Sequence, residues 1–297
     1  MPDFLIIGAA KSGTTSLYHY LGQHPDVFVS PVKEPNFFAF AGEEVNFQGP
    51  KDSQNINAWS TTALPEYRAL FDEAGAASTV GEASFTSLYV PGAAERIRRH
   101  CPDAKLIALL RDPVDRAYSN FSMNKQANLE PCDEFADALD AEETRIQAGW
   151  SPAWHYRRLG FYHSQLAHYY ERFPQDQIRV YLFEEFAENT RRVVQDTFDF
   201  LGVDPTFEPD VSKQHNRSGI PGFAPLRWLM RSRNPVRAAA RTLTTLKMRK
   251  AIARRLLDWT QETASPETAR RLRRLYRPDL LALQSLLGRD LSHWMRP

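Results

Sequence analysis

Residues 4–7 form a continuous apolar run, Phe4-Leu5-Ile6-Ile7, that ends at Gly8. A turn of small and hydroxyl residues follows, and then the helical spacing of Leu17, Tyr18 and Leu21. An uninterrupted apolar strand entering a helix through a glycine turn is buried on both faces, as in a parallel sheet, and is not half of a solvated hairpin. Similar short runs occur at 79–80, 106–110 and 178–183. They alternate with helix-like segments at 92–100, 113–126, 133–147, 160–173 and 190–201. The expected fold class is α/β, with three layers and a central parallel sheet flanked by helices.

The 297 residues suit one or two domains, and no linker divides them, so residues 1–297 are expected to form a single domain. Residues 204–225, with four prolines and two glycines, read as a long loop, and residues 226–257 and 266–287 as basic helices. With 42% hydrophobic and 25% charged residues, the composition excludes disordered and fibrous classes. The net charge of +1 hides an asymmetry: residues 226–297 hold 17 Lys+Arg against 5 Asp+Glu. This C-terminal part can meet an anionic partner, or it is a solvated helical surface balanced against the acidic remainder. Two cysteines, Cys101 and Cys132, without CxxC or Cys/His spacing, imply neither a disulfide framework nor a metal cluster, and fit a reducing, cytoplasmic setting. The first apolar run is too short to span a membrane and lacks a basic flank.

Two strand-to-helix junctions carry the chemistry. At Gly8-Ala9-Ala10-Lys11-Ser12-Gly13-Thr14-Thr15-Ser16, free backbone N–H groups and the positive end of a helix attract phosphate, and Lys11 and the hydroxyls add donors. It departs from the GxxxxGK[ST] loop because Lys11 precedes Gly13; the bland alternative is a structural Gly/Ser turn. In the second junction, Arg111 ends a strand, Asp112-Pro113 reads as an N-cap with proline at the first helical position, and Ser119 lies two turns into the helix. Arg111 can fork two hydrogen bonds onto a phosphate, or pair with Asp112 or Asp115.

Together these junctions resemble the sulfotransferase family that uses 3′-phosphoadenosine 5′-phosphosulfate (PAPS), whose fold is P-loop-like. KSGTTSL at 11–17 is similar to its 5′-phosphosulfate loop, and LLRDPVDRAYSNF at 109–121 to its 3′-phosphate motif. HPDVFVSPVKEPNFF at 24–38 and LRRLYRPDLLALQSLLGRDLSHW at 272–294 resemble segments of carbohydrate-type members. The resemblance implies that Lys11, Ser12, Gly13, Thr14, Thr15 and Ser16 hold the 5′ side of the donor. It places Arg111 and Ser119 on the 3′-phosphate and Arg217, Ser218 and Gly219 in a late donor-closing loop. Lys11 is also implied in catalysis, and Glu34 is implied as the general base. The residues around Glu34 agree with that role: Pro31 and Pro35 stiffen the segment, and Phe37, Phe38 and Phe40 supply an apolar wall. The alternative is an exposed Lys33-Glu34 surface pair.

Lys33, Phe37 and Glu82 are candidate acceptor contacts, although Glu82 can equally serve loop backbone donors. Carbohydrate-type members often carry a lysine after the third strand; here the sequence reads Thr86-Ser87-Leu88-Tyr89. His100, His155, His163 and His168 match no catalytic position. The implied reaction moves a sulfuryl group from PAPS to a hydroxyl of a carbohydrate, glycolipid or similar acceptor, without a metal. The rivals are a P-loop-type kinase, which needs GK[ST] and a magnesium carboxylate, and a non-catalytic sulfotransferase-like binding protein. Residues 227–255, ten Lys+Arg with no acid, suit a polyanion or a membrane surface; nucleic acid is not expected as a partner.

Overall fold

The structure, a computed structural model, describes residues 1–212, 220–221, 259–260 and 263–296. The elements run β1 (Phe4–Gly8), α1 (Thr14–Leu21), β2 (Val27–Val29), α2 (Phe37–Phe40), α3 (Ile56–Trp59), α4 (Leu64–Ala69), β3 (Thr79–Ala83), α5 (Phe85–Tyr89) and α6 (Ala93–His100). They continue with β4 (Lys105–Leu110), α7 (Pro113–Gln126), α8 (Phe135–Asp140), α9 (Glu142–Gln147), α10 (Tyr162–Tyr170), β5 (Ile178–Leu182), α11 (Phe183–Glu188) and α12 (Thr190–Leu201). After these come β6 (Ile220–Pro221), β7 (Trp259–Thr260) and α13 (Pro266–Leu287).

Strands β1 to β5 form one sheet in the order β2-β3-β1-β4-β5, and each neighbouring pair is parallel. Alternation along the strands makes two cores. Leu5, Ile7, Leu106, Ala108 and Leu110 face one helical layer that includes Ala117 of α7, Leu166 of α10 and Leu280 of α13. Phe4, Ile6, Ile107 and Leu109 face the other, with Leu17 of α1 and Val194 and Phe198 of α12. Each fully buried Leu, Ile, Val or Phe among these contributes roughly 1.5–3 kcal/mol, so the sheet is held from both sides. The α/β expectation is met, and it follows from the strands' unbroken apolar character.

Local signals place several boundaries. The Asp112 carboxylate accepts from the backbone N–H groups of Val114 (2.8 Å) and Asp115 (3.3 Å), so α7 begins at Pro113 as the Asp-Pro pair requires. Ser265 caps α13 in the same way, and Gly288 ends it with φ 62°. The short edge strand β2 is not among the strands expected from the sequence. Two expectations need correction. The helix expected at 133–147 divides at Ala141 into α8 and α9. The helix expected from residue 160 starts at Tyr162, because Gly160 lies in a 3-10 turn against Tyr276, whose ring would stand 2.8 Å from a Cβ there.

The chain divides into two compact units, residues 1–216 with 264–297, and residues 217–263. The first holds the sheet. In the second, β6 and β7 pair antiparallel, so the expected loop at 204–225 contains one short strand. The basic stretch 227–255 and the whole of the expected helix 226–257 lie outside the described residues. Among the described residues, no helix is long and apolar enough to cross a membrane.

Candidate active site

Neighbouring strands β1 and β4 deliver the two junctions to the same edge of the sheet, at the position where the chain order reverses and parallel sheets open a crevice. The Ala9 N–H donates to the Leu109 carbonyl at 2.8 Å, which keeps the loop in register with β4 as it leaves the sheet. Lys11 and Gly13 take positive φ values of 64° and 92°. At Gly13 a Cβ would lie 3.2 Å from the Phe186 ring, so both backbone conformation and space call for glycine. The turn ends at α1, an eight-residue helix with Gly13 at its N-cap. Ser12, Thr14 and Ser16 are buried in this turn; Lys11 and Thr15 are partly exposed.

The Lys11 ammonium donates to the Met123 sulfur of α7 at 3.3 Å. Burial, with Arg111, Arg116 and Lys33 nearby, lowers its pKa to about 8. Arg111 reaches across the junctions: its Nη1 donates to the Lys11 carbonyl at 3.4 Å, and its guanidinium lies 4.8 Å over the Phe183 ring. Burial also lowers the Arg111 pKa. Among the described residues no carboxylate forms an ion pair with Arg111. Asp112 caps α7 and sits 3.9 Å from Arg273, so the anticipated alternative of an Arg111 pair with Asp112 or Asp115 does not occur. Ser119 is buried one helical turn before Met123, on the α7 face that reaches Lys11.

Arg116 is a further cation that motif reading passed over. It is fully buried, donates to the Tyr156 carbonyl and to Asn120 Oδ1, and contributes to the positive potential at Lys11. Its place one turn after the Asp112-Pro113 cap was the available signal, but burial of that face depends on Tyr156, forty residues later.

Glu34 and Lys33 form an ion pair with both side chains about one-quarter exposed or less. The pair is thus partly buried, between the two alternatives considered. The Glu34 N–H donates to the Ala83 carbonyl at 2.9 Å, and Glu34 Oε2 accepts from the Phe85 N–H at 2.9 Å, which joins the segment to the end of β3. Phe37, Phe38 and Phe40 point inward. Phe37 is 1% exposed and stacks on Tyr67 with ring centroids 4.3 Å apart. The expected Phe37 acceptor contact and apolar wall are therefore corrected: α2 is buried along its whole length and belongs to the core.

Glu82, at the end of β3, is 1% exposed; its Oε2 accepts from the Ser84 hydroxyl at 2.7 Å, while Oε1 has no hydrogen-bond partner among the described residues. Burial, with an added contribution from Glu34, raises its pKa to about 8. It accepts from no loop backbone donor in the described structure, and at 1% exposure it offers an acceptor almost no surface. Raised above the ordinary 4.5, this carboxyl is protonated in the folded chain where the unfolded chain is ionised, so stability is lost as pH rises from about 4.5 to 8. Replacing Glu82 by Gln should remove that loss, on the order of 5 kcal/mol, and flatten melting temperature against pH over this window. Parallel curves for wild type and variant would show that Glu82 is charged in the fold.

The histidines stand in structural surroundings. His155 is buried between the Tyr89 hydroxyl (2.8 Å) and the Trp150 carbonyl (3.1 Å), with its pKa pushed down to about 4 by burial; His168 is exposed beside Glu171, and His100 packs on Phe37 and Phe38. Arg217, Ser218 and Gly219 lie outside the described residues. Among the described residues no group of three or more His, Cys, Asp or Glu is placed to hold a metal ion.

Comparison with known proteins places this geometry. A model of the Sulfotransferase family matches residues 2–209. The solved sulfotransferase from Alicyclobacillus acidocaldarius is 34% identical, covers 100% of this chain and 99% of its own, and superposes with a TM-score of 0.78. Carbohydrate sulfotransferase 15 of Mus musculus is 27% identical over 261 residues, 70% of this chain and 45% of that protein. Heparan sulfate glucosamine 3-O-sulfotransferase 3B1 of Homo sapiens is 26% identical over 294 residues, 98% of this chain and 65% of that protein. The chain thus spans about half the length of the mouse relative. With the sheet order, the two strand-to-helix junctions and the family match all in hand, the chain belongs to the sulfotransferase family.

Proposed function

We propose that this chain transfers the sulfuryl group of PAPS to a hydroxyl of an acceptor and releases 3′,5′-ADP. The observation that carries the reading is the contact between the junctions. Arg111 touches the Lys11 backbone, burial weakens the hold of both side chains on their protons, and among the described residues Arg111 forms no ion pair with a carboxylate. Two phosphates of one nucleotide supply the missing negative charge at both places.

In this mechanism the acceptor oxygen attacks sulfur in line, and the bond between sulfur and the bridging phosphate oxygen breaks. Glu34 takes the hydroxyl proton. Its Oε2 is fixed by the Phe85 N–H, which leaves Oε1, now paired with Lys33, as the oxygen presented to the acceptor. Lys11 follows the charge that grows on the leaving oxygen, and the N–H groups at the start of α1 hold the remaining phosphate oxygens. Lys11 and this helix end supply the positive charge that magnesium gives a kinase, so the reaction is metal-independent.

The acceptor is assigned as a carbohydrate hydroxyl, in keeping with the names of the mouse and human relatives. Trp59, 61% exposed, supports a ring-bearing acceptor: the residues that follow it, Ser60 and Thr61, hydrogen-bond to Asn36 and Pro35 beside Glu34. The unpaired Cys101 and Cys132 fit a cytoplasmic setting.

The donor assignment is tested by thermal stabilisation. At 100 times its dissociation constant, 3′,5′-ADP should stabilise the fold by ~2.7 kcal/mol and raise the melting temperature, and exhaustive chelation should leave transfer intact. Stabilisation by ATP with magnesium instead, together with activity restored by magnesium alone, would support the kinase reading.

A further inference from the structure

The segment bearing Glu34 has an unusual backbone: Glu34 and Asn36, on either side of Pro35, both have positive φ, 62° and 56°. Neither is glycine, so the left-handed conformation is strained at each and must be held by its surroundings. Asn36 is the point of attachment. It is 3% exposed, and each of its polar groups is engaged. Its N–H donates to Ser84 Oγ at 3.1 Å, Oδ1 accepts from Thr86 Oγ1 at 2.7 Å, and Nδ2 donates to Ser60 Oγ at 3.1 Å. Its carbonyl accepts the first backbone bonds of α2.

Four consecutive residues thus grip the segment. Ala83 and Phe85 hold Glu34, and Ser84 and Thr86 hold Asn36. These residues continue from β3, whose Ala83 pairs with Ile6 of β1, and the Ser84 N–H donates to the Ile6 carbonyl at 3.1 Å. Strand β1 in turn leads to Lys11. Buried Glu82 completes the mount by fixing the Ser84 hydroxyl.

We infer that Asn36 is a positioning residue for sulfuryl transfer, which holds the Glu34 carboxylate in register with Lys11 through the β3–β1 pair and joins it to the segment that carries Trp59. This rests on the reading of Glu34 as the base. A buried residue that only filled space would lower stability and all kinetic constants together. Asn36 makes its polar bonds to the corner that aims Glu34, so its loss is expected in turnover. Small misplacements of a reacting group cost up to about 100-fold in rate.

The test uses two variants with Glu34→Gln as reference. Asn36→Gly keeps the left-handed backbone and removes both side-chain bonds. Thr86→Val keeps volume and removes one of them. Both should lower kcat about 10- to 100-fold at saturating PAPS and acceptor, with 3′,5′-ADP affinity within about twofold of wild type, and Thr86→Ser should restore kcat. If Glu34→Gln collapses turnover while Asn36→Gly and Thr86→Val keep wild-type kcat, the positioning role is wrong and the base assignment stands. If Glu34→Gln itself keeps wild-type kcat, the base assignment fails and the inference with it. A fall of kcat, 3′,5′-ADP affinity and melting temperature in equal proportion in Thr86→Val would overturn the inference in favour of a packing role.

Discussion

Glu34→Gln should leave 3′,5′-ADP affinity and melting temperature near wild type and lower kcat by about 10² to 10⁴, the usual contribution of a positioned general base. Glutamine retains an oxygen for the Phe85 N–H, so the loop keeps that attachment to the β3 end. It loses the charge that pairs with Lys33 and the capacity to take the acceptor proton. Steady-state kinetics, with calorimetric binding of 3′,5′-ADP on the same preparation, check both halves. Near-wild-type turnover would show that the proton leaves by another route.

Lys11→Ala carries the second large effect, a loss of about 10² to 10³ in kcat, comparable to removing one preorganised donor from an oxyanion site. Arg111→Ala should act differently, raising the donor KM more than it lowers kcat, because the partner proposed for it is a phosphate whose charge does not change during the reaction. Lys11 also gives the donor reaction a pH signature. Its pKa is lowered to about 8 in the free protein, and the neutral amine cannot hold an anion. The kcat/KM for PAPS should therefore fall as pH rises through about 8. At saturating donor, kcat should hold to higher pH, because bound phosphate raises the lysine pKa again. A kcat/KM that stays flat to pH 9 would remove Lys11 from the donor site.

The sheet and both junctions were legible because their signals are local. Unbroken apolar strands, the glycine turn at residues 8–13 and the Asp112-Pro113 cap act over a few residues, and the structure places them accordingly. The same holds for the end-to-end match of α13, set by Ser265 and Gly288. Where the sequence misled, the deciding contact was distant. Phe37 reads as a cleft wall beside Glu34, yet Tyr67, thirty residues later, draws it into the core. Arg116 reads as one more charge on a helix until Tyr156 closes over it. Asn36 looks like a loop residue, and its significance lies in Ser84 and Thr86, which a parallel sheet brings alongside. Glu82 illustrates the same limit, since only the packing around the β3 end shows that its carboxyl is buried.

Product analysis during turnover tests the central claim most directly. Incubation of the chain with sulfur-labelled PAPS and a panel of sugars, glycolipids and phenols, followed by mass spectrometry, should show the labelled sulfuryl group on an acceptor hydroxyl. One equivalent of 3′,5′-ADP should appear per product, in the presence of a chelator, and both signals should collapse together in Lys11→Ala. Phosphorylated product formed from ATP and magnesium, with PAPS left intact, would contradict the account.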